Sequence, residues 1–151
     1  MPQIGRTHAY PIARALLPPE PVSVIEFGCH DGRGKAYLGT TGRYLGLERS
    51  RRKTAPGVDV RTGFDFTSRT DIPSGFDVAI CLLPPPGIKS VAMVWTMAKA
   101  VKETGLVLWR VKTAGERGRL LQVFKDVTIW RNDGVMVAEC RGVRTDAEVA
   151  A

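Results

Sequence analysis

The residues best suited to bind a ligand follow a short apolar segment near the start of the sequence. Val22–Phe27 predicts a buried strand, and the next stretch, Gly28–Gly42, contains five glycines. In an open α/β sheet, ligands bind beyond the carboxyl ends of the strands, where glycine lets the backbone approach them closely. We expect a ligand there to meet Glu26, Gly28, His30, Asp31 and Gly32. The alternative is a glycine-rich turn that holds no ligand.

Two acidic residues follow later predicted strands at places that suit a nucleoside. Glu48 ends the predicted strand Arg43–Glu48, and a carboxylate there can accept two hydrogen bonds from a ribose diol, each worth roughly 1.5–3 kcal/mol. Asp65, with Phe66 beside it, follows the predicted strand Val58–Thr62 and suits an adenine amino group and ring. The alternatives are a solvated Glu48 paired with a neighbouring arginine, and a turn acid at Asp65.

A proline run follows the apolar strand predicted over Phe76–Leu83. We expect Leu82 to contact the ligand, because the loop Leu82–Gly87 begins at the mouth of the predicted pocket. For the run Pro84-Pro85-Pro86, the alternative is a rigid exit from the strand.

Three residues are candidates for contact with a substrate. His30 is the candidate for acid–base chemistry by an imidazole, since we expect His8, the other histidine, on the surface. Arg110 and Lys112 lie near the end of the predicted strand Leu106–Val111. For these two cations the alternative is solvated charge.

The elements that must position these residues alternate between strands and helices. Helices are predicted over Arg6–Leu17, over a short part of Gly28–Gly42, over Ile88–Glu103 with Gly105 as its C-cap, and over Glu116–Phe124. The strands are Val22–Phe27, Arg43–Glu48, Val58–Thr62, Phe76–Leu83, Leu106–Val111, Val127–Trp130 and Val135–Cys140. The last two flank the turn Arg131-Asn132-Asp133-Gly134, a strong hairpin signal.

This alternation predicts an α/β fold with a doubly wound, mostly parallel sheet of about seven strands and a C-terminal antiparallel hairpin. The 151 residues fit one domain. We expect a lead-in with the N-terminal helix over residues 1–20, the core over residues 22–142 and a tail over residues 143–151.

Taken together, these segments resemble the class I S-adenosylmethionine (SAM)-dependent methyltransferases, which have a Rossmann-like fold. Glu26-Phe27-Gly28-Cys29-His30-Asp31-Gly32-Arg33 is similar to the first motif, acid-x-Gly-x-Gly-x-Gly, and Leu45-Gly46-Leu47-Glu48 to the second, whose acid holds the SAM ribose. Asp65-Phe66 lies where the family contacts adenine, and Phe76-Asp77-Val78-Ala79-Ile80 is similar to the fourth-strand motif. The resemblance implies SAM as cofactor and methyl transfer as the activity.

The sequence departs from the family pattern at two places. His30 stands where the motif has its second glycine, so a side chain can crowd the methionine end of the cofactor or hydrogen-bond to it. Where members that methylate amino groups have Asn or Asp before Pro-Pro-Tyr, this sequence has Leu82-Leu83-Pro84-Pro85-Pro86. The resemblance therefore does not imply methylation of amino groups on DNA bases.

A weaker resemblance links the sequence to the FtsJ-like RNA ribose methyltransferases, which are also small and basic. That family uses a Lys-Asp-Lys-Glu tetrad. A cation near the end of the fifth strand is present, but Cys81-Leu82-Leu83 occupies the place of the fourth-strand Asp, and the first lysine is Lys35. We do not carry the ribose-methylating activity over to this chain.

The net charge of +7 and the pI of about 9.7 favour an anionic partner, of which nucleic acid is the usual one. The alternative is a basic domain that binds no nucleic acid. The densest basic run, Arg49, Arg51, Arg52 and Lys53, has no interleaved aromatic residues for base stacking.

Composition narrows the remaining classes. Three cysteines, Cys29, Cys81 and Cys140, are too few for a disulfide framework, and we expect no metal site. The sequence has no apolar run that could span a membrane and no signal peptide at its start, so we expect a cytoplasmic protein without a membrane partner. The sequence leaves the oligomeric state and the methyl acceptor open.

Three functions follow from these observations. The first is a SAM-dependent methyltransferase, and the second is a non-catalytic module that binds SAM or nucleic acid on the same fold. A nicotinamide-dependent oxidoreductase is the third, but the glycines Gly28, Gly32 and Gly34 do not fit the spacing G-x-G-x-x-G.

Overall fold

Seven strands form one sheet in the computed structural model, which describes residues 9–39, 42–64, 66, 72–84 and 90–145. The strands are β1 (Val24–Phe27), β2 (Tyr44–Leu47), β3 (Val60–Arg61), β4 (Phe76–Cys81), β5 (Val101–Val111), β6 (Phe124–Asn132) and β7 (Val135–Val143). The helices of the described ranges are α1 (Ala9–Leu16), α2 (Gly34–Leu38), α3 (Ser90–Ala100) and α4 (Glu116–Leu120).

The strand order is β3-β2-β1-β4-β5-β7-β6. Strands β1 to β5 are mutually parallel, and β7 pairs antiparallel with both β5 and β6. This confirms the predicted α/β fold with a C-terminal antiparallel hairpin. The direction of winding reverses between β1 and β4, which opens a crevice at their carboxyl ends.

Both faces of the sheet are covered by helices. One face packs against α3 and α4 through Met93, Val94, Met97 and Leu120, and the other packs against α1 through Ala9, Tyr10 and Ala13. The central strands β1, β2 and β4 are therefore mostly apolar on both faces, as expected for parallel strands, with the buried Glu26 of β1 as an exception. Within the described ranges, no helix is long and apolar enough to cross a membrane.

Two predicted helices end earlier than their sequence patterns indicate. Helix α3 ends at Ala100, and Val101 pairs with Phe76, so the predicted C-cap Gly105 lies inside β5. A Cβ at Gly105 would come within 2.6 Å of the Val101 side chain and 2.8 Å of a backbone oxygen, so the glycine serves a tight bend in the strand. Helix α4 ends at Leu120, and Phe124 begins β6.

The hairpin turn is tighter than predicted. Arg131 and Asn132 belong to β6, which leaves Asp133 and Gly134 as a two-residue turn with φ angles of 50° and 75°. Positive φ at both positions is the geometry of a type I′ turn, whose twist matches that of the two strands. The other predicted elements are confirmed over their described residues, with ends shifted by a few residues.

Candidate functional site

A cavity of about 530 Å³ lies at the carboxyl ends of the strands, where the winding reverses. Its walls come from the segments that follow β1, β2, β4 and β5. The lining residues are Gly28, His30, Glu48, Arg49, Ser50, Arg52, Leu83, Pro84, Arg110 and Lys112. Five of the residues predicted for the site are thus brought together: Gly28, His30, Glu48, Arg110 and Lys112.

The loop after β1 reaches the cavity in an unusual backbone conformation. Gly28 and His30 have φ angles of 70° and 56°, and the left-handed region is costly for a residue with a side chain. The N–H of Gly28 donates to the carbonyl oxygen of Leu47 at 2.8 Å, which joins the loop to β2.

Glu48 holds two loops of the cavity together. The residue is only 6% exposed, and Oε1 accepts the N–H of His30 at 2.9 Å while Oε2 accepts the N–H of Ser50 at 2.7 Å. A carboxylate has about four acceptor positions, so these bonds leave capacity on both oxygens. The bond from His30 also helps to stabilise the left-handed backbone at that residue.

The imidazole of His30 lies beside a guanidinium. Nη1 of Arg52 is 3.1 Å from Nδ1 of His30. An arginine can only donate, so Nδ1 accepts and the ring proton is on Nε2. Protonation of Nδ1 would break this bond and place two cations side by side.

Positive charge dominates the cavity walls. Arg49, Arg52, Arg110 and Lys112 line it, and Glu48 is the only carboxylate among the lining residues that the structure describes. Both Glu48 oxygens already accept backbone N–H groups. These walls are therefore suited to a ligand group that carries negative charge.

Asp31 is engaged elsewhere in the same loop. Its carboxylate accepts hydrogen bonds from the Arg33 guanidinium at 2.7 and 3.0 Å, and from the Arg33 backbone N–H at 3.1 Å. These bonds to Arg33 lower the pKa of Asp31 below its ordinary value. Asp31 does not line the cavity, although its loop does.

Gly32 serves the packing of the loop against β3. Its φ is 89°, and a Cβ there would lie 2.5 Å from Cγ2 of Val60 and 2.9 Å from Cγ1 of Val58. The sequence suggested that this glycine admits a ligand. The structure instead shows a close approach of protein to protein.

Glu26 lies behind the cavity, fully buried between two tyrosines. Tyr10 donates to its Oε2 and Tyr44 to its Oε1, each at 2.5 Å. Burial raises the pKa of Glu26 to about 7, although the two hydrogen bonds oppose that rise. Gly34 makes room for this cluster, because a Cβ there would lie 2.5 Å from the Tyr10 hydroxyl.

Two other predicted ligand contacts are core residues. Phe66 is buried against Phe27 and Phe64, with ring centroids 6.0 and 5.9 Å apart. Leu82 is fully buried on the sheet face that packs against α1. The next two residues, Leu83 and Pro84, line the cavity in its place. Asp65 lies outside the described residues.

Sequence reasoning missed the part that the loop after β2 plays. Arg49, Ser50 and Arg52 all line the cavity, whereas the sequence indicated a basic run without a specific position. The available signal was that this run begins one residue after Glu48, and residues that follow a strand's carboxyl end face the crevice. In the described ranges, no group of three or more His, Cys, Asp or Glu side chains could hold a metal ion. All three cysteines are buried and free.

Sequence comparison finds no relatives: no protein-family model matches the chain, and no curated protein matches it either. Solved structures do match. One is a chain of the complex between the Trm112 methyltransferase activator and a methyltransferase of Haloferax volcanii, with a TM-score of 0.70, 12% identity, and coverage of 94% of this chain and 92% of that one.

Two further matches have comparable scores. A SAM-dependent O-methyltransferase from Thermotoga maritima gives a TM-score of 0.68 at 15% identity, covering 92% of this chain and 66% of the other. The tRNA (m1A58) methyltransferase of Aquifex aeolicus gives 0.66 at 16% identity, covering 93% and 69%. At these identities the matches establish a shared fold.

Proposed function

We propose, from the class I methyltransferase fold that this chain has, that it binds SAM in the cavity and transfers a methyl group to an acceptor. The observation that carries this proposal is Glu48, a nearly buried carboxylate at the end of β2 that lines the cavity with acceptor capacity left on both oxygens. A cavity of about 530 Å³ also lies within the roughly 300–1,000 Å³ range of small-molecule sites.

Residues that line the cavity would hold the cofactor. Glu48 would hold the ribose diol, and Gly28 and His30 would lie along the rest of the molecule, since all three line one cavity. When bound, SAM supplies an activated methyl group. Glu26, Asp31, Gly32, Phe66 and Leu82 would act indirectly, by keeping the surrounding loops and core in place.

In the reaction, this chain would act mainly by positioning the acceptor. Placing two reactants in line at near-attack distance accounts for much of the rate in such displacements. Arg110, Lys112 and His30 are the polar side chains proposed to contact the acceptor, as all three face the cavity. Because Nδ1 of His30 accepts from Arg52, its Nε2–H would donate a hydrogen bond rather than remove a proton.

The ribose assignment is tested by substituting Glu48→Gln and measuring SAM binding by calorimetric titration. We expect affinity to fall about tenfold or more, because bonds to a charged acceptor are stronger than bonds to an amide. The matched control is Glu103→Gln, an exposed glutamate at the start of β5, which should bind SAM like the parent protein. Circular dichroism checks that both variants fold, and equal affinity for both would refute this role of Glu48.

A second candidate function is a module that binds SAM without transferring its methyl group. Leu83 and Pro84 line the cavity at the end of β4 and offer no side-chain acceptor for a substrate amine. His30 also occupies the place of a motif glycine. Tritiated SAM incubated with RNA, DNA, protein and small-molecule pools separates the two: saturable binding with no label transferred to any pool supports the module.

A further inference from the structure

Three cations at the cavity have no carboxylate partner among the residues that the structure describes. Arg110 is half-buried on β5, Lys112 follows that strand, and Arg52 reaches in from the loop after β2. None of the three forms an ion pair with a carboxylate of the described ranges. We call Arg52, Arg110 and Lys112 the cationic wall.

The nearby acidic side chains are already occupied by backbone donors. Glu48 accepts from His30 and Ser50, and Oε2 of Glu116 accepts the N–H groups of Lys112 and Thr113. Neither carboxylate forms an ion pair with a cation of the wall. Among the described residues, little negative charge therefore compensates the positive charge of the wall at the cavity.

Two cations at the opposite end of the sheet form ion pairs with carboxylates. Nζ of Lys102 lies 2.9 Å from Asp77, and Arg141 lies 3.3 Å from Glu139. Lys102 and Arg141 thus pair with carboxylates, whereas the three cations of the wall form no such pair within the described residues. An excess of charge of one sign in a concave site raises the local concentration of ligands with charge of the opposite sign.

The positive surface also continues beyond the cavity. Arg51 and Lys53, on the same loop as Arg52, are exposed, and Arg61 is exposed at the end of β3. A single phosphate group would contact only the cationic wall. A chain of phosphates can contact the wall and the adjoining loop together, because each nucleotide of a strand brings its own negative charge.

We infer that the cationic wall binds the phosphodiester backbone of a nucleic-acid strand, so that one nucleotide of the strand enters the cavity. The part of this inference that makes the nucleotide a methyl acceptor rests on the proposed function. Binding of the strand does not depend on methyl transfer, so an experiment can refute the strand-binding inference or the proposed function without refuting the other.

The test uses a fluorescein-labelled, single-stranded RNA of mixed sequence and measures anisotropy over a series of salt concentrations. The variant is R110A/K112A. The control is K99A/R119A, which removes one lysine and one arginine from exposed positions on α3 and α4. Both double variants therefore carry the same net charge.

We expect R110A/K112A to bind the RNA about tenfold more weakly or worse, and the salt slope to fall by about 1.4, since each phosphate contact on a single strand contributes about 0.7. K99A/R119A should stay within about twofold of the parent protein. Equal weakening of the two variants would mean only non-specific attraction and would overturn the inference. An absence of RNA binding by the parent protein at low salt would also overturn it.

Two further arms separate the alternatives. Adenosine monophosphate and inorganic phosphate are added as competitors, and displacement of the RNA at equal phosphate concentration would assign the wall to an isolated phosphate group instead of a strand. SAM titration of the same protein is run in parallel. SAM binding without RNA binding removes this inference alone, whereas RNA binding without SAM binding removes the proposed function and leaves the cationic wall as a strand-binding site.

Discussion

At the scale of single residues, the buried carboxyl of Glu26 shows that the type of a residue does not by itself determine its contacts in the fold. It follows the sequence pattern of a ligand-binding acid, yet its oxygens accept hydrogen bonds from Tyr10 and Tyr44 inside the core. These partners lie 16 and 18 residues away along the chain. Periodicity and motif spacing carry no information about such pairs, so the sequence could not predict the cluster.

The raised pKa of Glu26 predicts a specific dependence of stability on pH. The folded-state pKa is about 7 and the ordinary value is 4.5, so the folded protein binds more protons than the unfolded chain between these two values. Stability from this group is complete below pH 4.5 and is lost as the pH rises through 7, by about 3 kcal/mol in all.

Glu26→Gln removes this titration while keeping the shape of the neutral side chain. We expect the variant to lose less unfolding free energy than the parent protein between pH 4.5 and pH 7, measured by urea denaturation at a series of pH values. Glu103→Gln, at an exposed position, is the control and should parallel the parent protein. Parallel curves for Glu26→Gln and the parent would contradict the raised pKa.

The candidate site could be predicted in part at this scale. Glu48, Arg110 and Lys112 were expected from their places near the carboxyl ends of strands, and they line the cavity with Gly28 and His30. Asp31 and Gly32 were expected for the same reason but make other contacts. Both belong to the correct loop, but the Asp31 carboxylate turns to Arg33 and the Gly32 backbone packs against Val60, and the positions of these partners follow only from the folded backbone.

At the scale of elements, the loop between β1 and α2 depends on a glycine that packs against β3. Gly32 and Gly57 both have positive φ, at 89° and 72°, but they differ in their surroundings. A Cβ at Gly32 meets Val58 and Val60, while a Cβ at Gly57 meets nothing within 4 Å. The pair therefore separates backbone strain from steric conflict.

Alanine substitution at the two glycines should give different losses of stability. Gly57→Ala should cost about 1 kcal/mol, the usual strain of a left-handed residue. Gly32→Ala should cost about 3 kcal/mol, because the same strain is joined by overpacking against β3. Thermal and urea denaturation measure both values, and equal losses would show that β3 yields easily to the loop.

The types and order of the elements could be predicted from the sequence, but several boundaries could not. Apolar periodicity indicated α3 and β5 correctly, since both bury a continuous face. It did not place the junction between them, where Val101 pairs with Phe76 and the strand bends at Gly105. Pairing across the sheet decides such junctions, and local sequence patterns do not contain it.

At the scale of the whole molecule, the winding of the sheet brings the functional segments together. Four strand ends, those of β1, β2, β4 and β5, contribute to one cavity although their residues span Gly28 to Lys112. The alternation of strands and helices predicted this arrangement, because parallel strands present their carboxyl ends at one edge. The net charge of +7 predicted an anionic partner but not where that partner binds. The cationic wall is the binding place that we propose.

Whether this cavity binds SAM is tested by calorimetric titration of the parent protein with SAM, S-adenosylhomocysteine and NAD. We expect saturable binding of SAM or S-adenosylhomocysteine at micromolar concentration, and weaker binding or none for NAD. An absence of binding by both SAM and S-adenosylhomocysteine, or tighter binding of NAD, would contradict this expectation.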